Sequence, residues 1–276
     1  MRFVKLIIDY VIFIPLKRIF IFIAIKSSNK IYPFLFNFYA RFINSETQIF
    51  LNKRNFFELK NEKWQFFFKN QGLNIYLKGL DNRKKDLQST YLIKNLDFDD
   101  NDIIIDVGAN NGDFYLCFDK KIKYYGIEPS PIAFQNLKAN VNNGKLFNNA
   151  AWKSENNKID FFLKEKYGDS SLIEMRNFTE KVQVQSITLD KIISEIGSKI
   201  KLLKLEAEGA EPEVLEGLKD NIDKIELITL DCGFERGINE ESTFVICFNF
   251  LIQNNFQLID FGKGRITALF KNKNIK

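Results

Sequence analysis

The chain has 276 residues, 45% of them apolar, 14% aromatic and 27% charged, with 40 basic against 35 acidic side chains. That composition supplies a sizeable core and excludes both an intrinsically disordered chain and a small scaffold dependent on disulfides. There is no histidine, which excludes Ser-His-Asp and Cys-His catalysis, HExxH metal chemistry and any histidine general base.

The charge is placed unevenly. Residues 1–40 hold Arg2, Lys5, Lys17, Arg18, Lys26 and Lys30 against Asp9 alone, a surplus equal to the whole formal charge of +5. The rest of the chain is balanced, which gives little support to nonspecific nucleic-acid binding. Within this segment two apolar runs, 10–16 and 19–25, are separated by Lys17-Arg18. Each is too short to span a bilayer, and as one span they would bury that basic pair and Pro15 near the middle. Asp9 interrupts the early apolar run and spoils a secretory signal. Two readings remain: a basic, aromatic-rich element lying in the interface of an anionic membrane, or a helical layer packed on the body. Cys117, Cys232 and Cys247 lack the spacing of a disulfide framework or zinc site, so a reducing, cytoplasmic location is expected, peripheral on the inner face of the cytoplasmic membrane if the first reading holds.

The chain divides into a basic apolar extension (1–43), a transition or cap region (44–100) and a regular domain (101–276). In the transition region an aromatic run centres on Phe66–Phe68, and alternation over 74–77, bounded by Gly72 and Gly79, predicts a hairpin or short strands. A helix is predicted over about 86–96. From Asp102 short apolar runs alternate with amphipathic ones, the pattern of a mostly parallel sheet with helices on both faces. Strands are predicted over 103–107, 123–127, 145–148, 201–205, 226–230, 256–261 and 266–270, and helices over 111–120, 131–142, 189–196, 211–218 and 241–254. Two further β-prone segments between the third and fourth strands suggest a hairpin insertion. The last two strands, joined by Gly-Lys-Gly-Arg at 262–265, read as an antiparallel hairpin.

The strongest signal is IIIDVGANNGDF, residues 103–114. A buried strand ends at Asp106, and Gly108 and Gly112 bracket a turn, so a carboxylate and backbone amides converge at a strand's carboxyl end. The glycine spacing is not that of a dinucleotide fold, and Asp106 would repel phosphates. It suits a cation such as the amino group and sulfonium of S-adenosylmethionine; the plain structural alternative is a carboxylate capping the next helix. YYGIEPSP places Glu128 at the end of the second strand, where an acid can accept ribose hydroxyls. NNAAW puts Asn148 and Asn149 where an adenine would lie, although asparagines are also ordinary turn residues.

With GDSSL, VQSITLD, LLKLEAEGAEPEVLEGL and DCGFERG following in order, the chain resembles the FkbM-type methyltransferases, a branch of the class I S-adenosylmethionine-dependent enzymes, over roughly residues 75–272. The resemblance implies an α/β, Rossmann-like class I fold, with a seven-stranded mostly parallel sheet, the last strand antiparallel; the N-terminal helical extension read from the residues lies outside the stretch it covers. It also implies S-adenosylmethionine as cofactor and, commonly, O-methylation of a carbohydrate or related natural product. On the matching positions, Asp106, Gly108, Asn110, Gly112 and Glu128 fall on cofactor-binding sites, and Ser170-Ser171 on the GDSSL segment. Glu206 stands where the family usually has aspartate.

Read from the residues alone, Glu206 and Glu208 end the fourth strand on one side of it, where open α/β sheets place ligands. Glu211 and Glu213 are accounted for by the dipole of the helix they start. Asp231 and Cys232 follow the fifth strand, with Glu235 and Arg236 after them; Cys232 suits a small buried group, and Arg236 either a substrate contact or an ion pair with Glu235 or Glu208. Methyl transfer to a hydroxyl needs alignment and a proton acceptor, for which Glu206, Glu208 and Asp231 are the candidates. Mg²⁺ between the fourth and fifth strands is an option the sequence does not favour, since a clear third ligand is missing and no metal ligand is assigned. The residues do not name the acceptor; by the resemblance a small molecule or glycan is expected, best a sugar hydroxyl in a glycan or glycolipid, and a nucleic-acid or other small-molecule methyltransferase and a non-catalytic scaffold on the same fold are the alternatives. The oligomeric state is not legible.

Overall fold

The computed structural model describes residues 14–164, 170–218 and 220–275. The first apolar run thus lies mostly outside the described residues, as do Gly168 and Asp169 of the GDSSL segment. The chain forms two compact units, Met1–Leu80 and Asp81–Lys276.

In the first unit, helices α1 (Ile14–Lys26) and α2 (Tyr32–Phe42) accompany a small antiparallel sheet of β1 (Ile49–Leu51), β2 (Phe57–Leu59) and β3 (Gln65–Phe66). Its core is a chain of rings: Tyr32 against Phe57 at 4.8 Å, Phe57 against Phe66 at 5.5 Å and Phe66 against Tyr76 at 4.9 Å, the tilted contacts that aromatic quadrupoles favour. The strands expected over 74–77 are absent. Gly72–Tyr76 is instead a helical turn of the wide π type, because Leu73, Tyr76 and Leu77 are the buried residues and that spacing is helical rather than alternating.

All but the first residue of α3 (Leu80–Thr90) belongs to the second unit; this helix begins and ends about six residues before the one expected over 86–96. Leu92 turns left-handed (φ 60°) and stops it, and Tyr91 and Ile93 then drop into the core. The main sheet comprises β4 (Ile103–Val107), β5 (Lys123–Ile127), β6 (Gly144–Phe147), β10 (Ile200–Leu205), β11 (Ile225–Asp231), β14 (Phe256–Phe261) and β15 (Thr267–Asn272), in the order β14-β15-β11-β10-β4-β5-β6. β15 runs antiparallel to both neighbours and the other strands are parallel, the arrangement that the resemblance implies. Every residue of β4 is buried. Ile103, Ile105 and Val107 join one core cluster and Ile104 the other, as expected for a strand covered on both faces. Each such burial contributes about 1.5–3 kcal/mol.

Helices α4 (Pro131–Asn140), α5 (Leu189–Ile196), α6 (Glu211–Glu216) and α7 (Phe244–Gln253) fall where the pattern placed them, α5 over the same residues and the others with shorter ends. Ser130 and Thr188 cap α4 and α5, accepting from the amides of Ala133 and Lys191. The helix expected over 111–120 is only a 3₁₀ turn, Asp113–Cys117. Asn110 (φ 47°) and Gly112 (φ 90°) are left-handed, so no α-helical turn forms there, and Phe118 returns to extended backbone. The start expected for α7 at Glu241 is occupied by β13 (Glu241–Ser242), paired with β12 (Phe234–Arg236). The inserted hairpin is β8 (Lys158–Leu163) with β9 (Glu180–Ile187), which also pairs in parallel with β7 (Ala150–Ala151).

Candidate active site

The strand order brings the carboxyl ends of β11, β10, β4 and β5 side by side, so Asp231, Glu206, Asp106 and Glu128 line one edge of the sheet. Lys204 occupies the centre. It pairs in register with Asp106, and its ammonium lies 3.0 Å from Asp106 Oδ1 and 3.1 Å from Glu206 Oε2. It also donates to the carbonyls of Val107 and Gly108 at 3.0 and 2.9 Å. Burial alone would lower the lysine pKa, but the Asp106 and Glu206 carboxylates raise it above its usual value. Lys204 is therefore a fixed positive charge.

Asp106 is fully enclosed, with the Tyr124 hydroxyl donating to its Oδ2. Its carboxyl is raised by burial, against the opposing pull of Lys204 and Tyr124. Glu206 lies just beyond the end of β10 and accepts from the Tyr91 hydroxyl at 2.5 Å. Burial raises its pKa, but Lys204 first and then Arg265 outweigh that and hold it at about 2. Arg265, from the β14–β15 turn, reaches Asp231 Oδ2 at 2.5 Å, Glu206 Oε1 at 3.4 Å and Glu235 Oε1 at 3.6 Å. Burial and the Glu206 charge push Asp231 up to about 6, and burial with Asp231 pushes Glu235 up to about 8.

Glu128 is buried and accepts from the amides of Asn110 and Ser130, both at 2.8 Å. It thereby ties the turn after β4 to the loop after β5, and each oxygen keeps a further lone pair. Burial pushes it up to about 7 against these two donors. The Asn148 amide donates to the carbonyls of Glu128 and Pro129, and Asn149 to that of Gln185. Gly108, at φ 72°, lets the turn pass against Glu206, since a Cβ there would collide with the Glu206 carbonyl oxygen. Gly112 makes the equivalent allowance for Val141 and Leu137.

Glu208 does not share a strand face with Glu206. β10 ends at Leu205, and Glu208 sits in a left-handed turn (φ 48°) whose carbonyl accepts from Ser171 Oγ at 2.7 Å. Glu211 does more than meet the helix dipole: its buried carboxylate accepts from the amides of Ala207 and Gly209 and from Thr243 Oγ1. Arg236 forms its ion pair with Glu213, in a two-bond arrangement at 2.7 and 2.9 Å, rather than with Glu235 or Glu208. Cys232 is buried. Among the described residues no group of three aspartate, glutamate or cysteine side chains is placed to hold a metal ion.

The methyltransferase FkbM domain family matches residues 106–258, more than half of the chain. The chain belongs to the FkbM methyltransferase family. The matched region is a methyltransferase domain. Solved structures similar to it include the methyltransferase FkbM from Methylobacillus flagellatus KT, 16% identical with a TM-score of 0.46, the match covering 74% of this chain and 52% of that one. Another is a TehB-like SAM-dependent methyltransferase from Corynebacterium glutamicum, 12% identical with a TM-score of 0.40, covering 70% of this chain and 96% of that one. This FkbM methyltransferase thus spans about half the length of the first of these structures. No curated protein matches it.

The residues present fit the cofactor. Asp106, Glu206 and Asp231 outnumber Lys204 and Arg265, an excess of acid suited to a sulfonium cation, and Glu128 retains accepting capacity for a ribose diol. Lys204, Tyr91 and Arg265 were not singled out from the sequence. A lysine inside the apolar run LLKLEAEG was a usable signal, whereas Tyr91 and Arg265 gave none.

Proposed function

We propose that this FkbM methyltransferase methylates a hydroxyl group of a sugar in a glycan or glycolipid. The observation that carries the reading is a cleft of about 530 Å³ beside Arg265, lined by Asp86, Ser89, Thr90, Asp260 and Lys263. Its volume lies within the usual range for ligand sites. Its lining sets carboxylates, hydroxyls and cations beside Leu92 and Phe261, a mixture that supports a sugar, whose hydroxyls need polar partners and whose ring faces are apolar.

When bound, S-adenosylmethionine supplies a methyl group on a positively charged sulfur, held in this reading by Glu128, Asn110 and Gly108 with Asp106 acting through Lys204. The chain must then orient a hydroxyl and receive its proton. Asp231 suits that task better than Glu206: its affinity for a proton is raised toward neutrality, whereas Glu206 is held strongly acidic by Lys204 and Arg265. Glu206 serves as the anchor that fixes both cations.

The test is incubation of the full chain with S-adenosylmethionine and panels of saccharides, RNA and peptides, reading S-adenosylhomocysteine release and product mass. An alkali-stable methyl ether on a saccharide is expected. Methylation confined to RNA or peptide would overturn the reading, and cofactor binding without turnover on any panel would favour the non-catalytic scaffold.

A further inference from the structure

The two N-terminal helices are apolar on more than the face they bury. Tyr32, Phe36, Tyr39 and Ala40 of α2 pack inward, yet Phe34, Phe38 and Phe42 are 72%, 59% and 63% exposed. Their spacing of four sets them in one stripe along the helix. On α1, Ile19, Phe22 and Ile23 are likewise exposed. Phe20 joins the two surfaces, with its ring 5.1 Å from Tyr39 and 6.3 Å from Phe38. An apolar area of this kind marks an interaction surface.

The charge around it selects the occupant. Lys17, Arg18, Lys26, Lys30 and Arg41 are all exposed, and residues 14–45 contain no aspartate or glutamate. A second copy of the same surface would set like charges together, whereas an anionic bilayer takes the rings at its headgroup boundary and pairs the cations with lipid phosphates. No described helix is long and apolar enough to cross a membrane. The 13 residues of α1 reach about 20 Å, against a hydrocarbon core of about 30 Å.

We propose that the exposed face of α1 and α2 docks on an anionic lipid bilayer, lying in its plane, with Phe22, Phe34, Phe38 and Phe42 as the inserting side chains and the five cations as the electrostatic contact. This stands apart from the acceptor reading, because it rests on residues of the first unit alone.

Flotation with phosphatidylcholine vesicles, with and without phosphatidylglycerol, tests it on the full chain. Wild-type protein is expected to float with the phosphatidylglycerol vesicles and to be released by salt. The variant Phe34→Ser/Phe38→Ser/Phe42→Ser changes only exposed positions, and it should bind about tenfold less or weaker while keeping the wild-type circular dichroism and unfolding midpoint. A second variant, Lys26→Gln/Lys30→Gln/Arg41→Gln, should lose the preference for phosphatidylglycerol. Equal flotation of wild type and the serine variant would overturn the proposal. So would a wild-type dimer in light scattering that the serine variant dissolves, with no vesicle binding by either.

Discussion

Lys204 and Asp106 face each other in register across two central parallel strands, their charges 3.0 Å apart and both side chains almost wholly enclosed. Water contributes little to either charge there, so each depends on the other. Glu206 and the carbonyls of Val107 and Gly108 complete the surroundings of the lysine. The pair fixes the backbone from which the cofactor-side turn departs.

Removing the lysine alone should therefore be costly. Lys204→Met leaves Asp106 without its cation and Glu206 with Arg265 alone, and is expected to lower stability by about 3–5 kcal/mol, the range for breaking a buried pair from one side. Lys204→Met combined with Asp106→Asn should cost less than the two single changes added together, as urea denaturation of all three variants would show.

Asp231→Asn removes the proposed proton acceptor and should lower turnover by roughly 10²–10⁴ with little change in cofactor affinity. Because the acid must be ionised to act, kcat/KM of the wild type should rise with pH through about 6, the value to which burial and Glu206 push Asp231. A limb near 8 that vanishes in Glu235→Gln would assign the proton to Glu235 instead.

Glu128 offers a ribose diol its ionised form, and burial raises its pKa to about 7. S-adenosylmethionine affinity measured by calorimetry should increase as pH rises through that value. Glu128→Gln cannot accept equally well from both the Asn110 and Ser130 amides, so it should bind the cofactor about tenfold or more weakly, the loss expected for a hydrogen bond to a charged group.

The same raised carboxyls set a pH dependence of folding for the ligand-free chain. Glu128, Asp231 and Glu235 titrate higher folded than unfolded, at about 7, 6 and 8. The folded state then holds more protons across the interval above the ordinary carboxyl range, and stability falls as pH rises from about 5 to 8. Glu206 is shifted the other way, and its contribution is lost only as pH falls through the ordinary carboxyl range toward 2. Thermal unfolding across that interval checks the slope, which Glu235→Gln should flatten at its upper end.

Gly108→Ala tests the turn itself. It forces a Cβ onto a left-handed backbone and into the Glu206 carbonyl oxygen, so a loss of at least about 1–2 kcal/mol in denaturant unfolding is expected from the backbone conformation alone.

By itself the sequence determined the sheet, because strands buried on both faces are mainly apolar, and 103–107 is broken only by Asp106 and 201–205 only by Lys201 and Lys204. It also placed Asp106 and Glu128 at strand ends and the glycine turn between them, since those positions follow from local order along the chain. Only the tertiary structure decided what these groups meet. Tyr91 reaches Glu206 across 115 residues and Arg265 reaches it across 59, and no local periodicity encodes such a meeting. Strand register set Lys204 against Asp106 and turned an acid read as a ligand contact into one half of an enclosed ion pair. Where β10 stops decided the rest: with Leu205 as its last residue, Glu206 stays among the cations and Glu208 turns away in a left-handed bend.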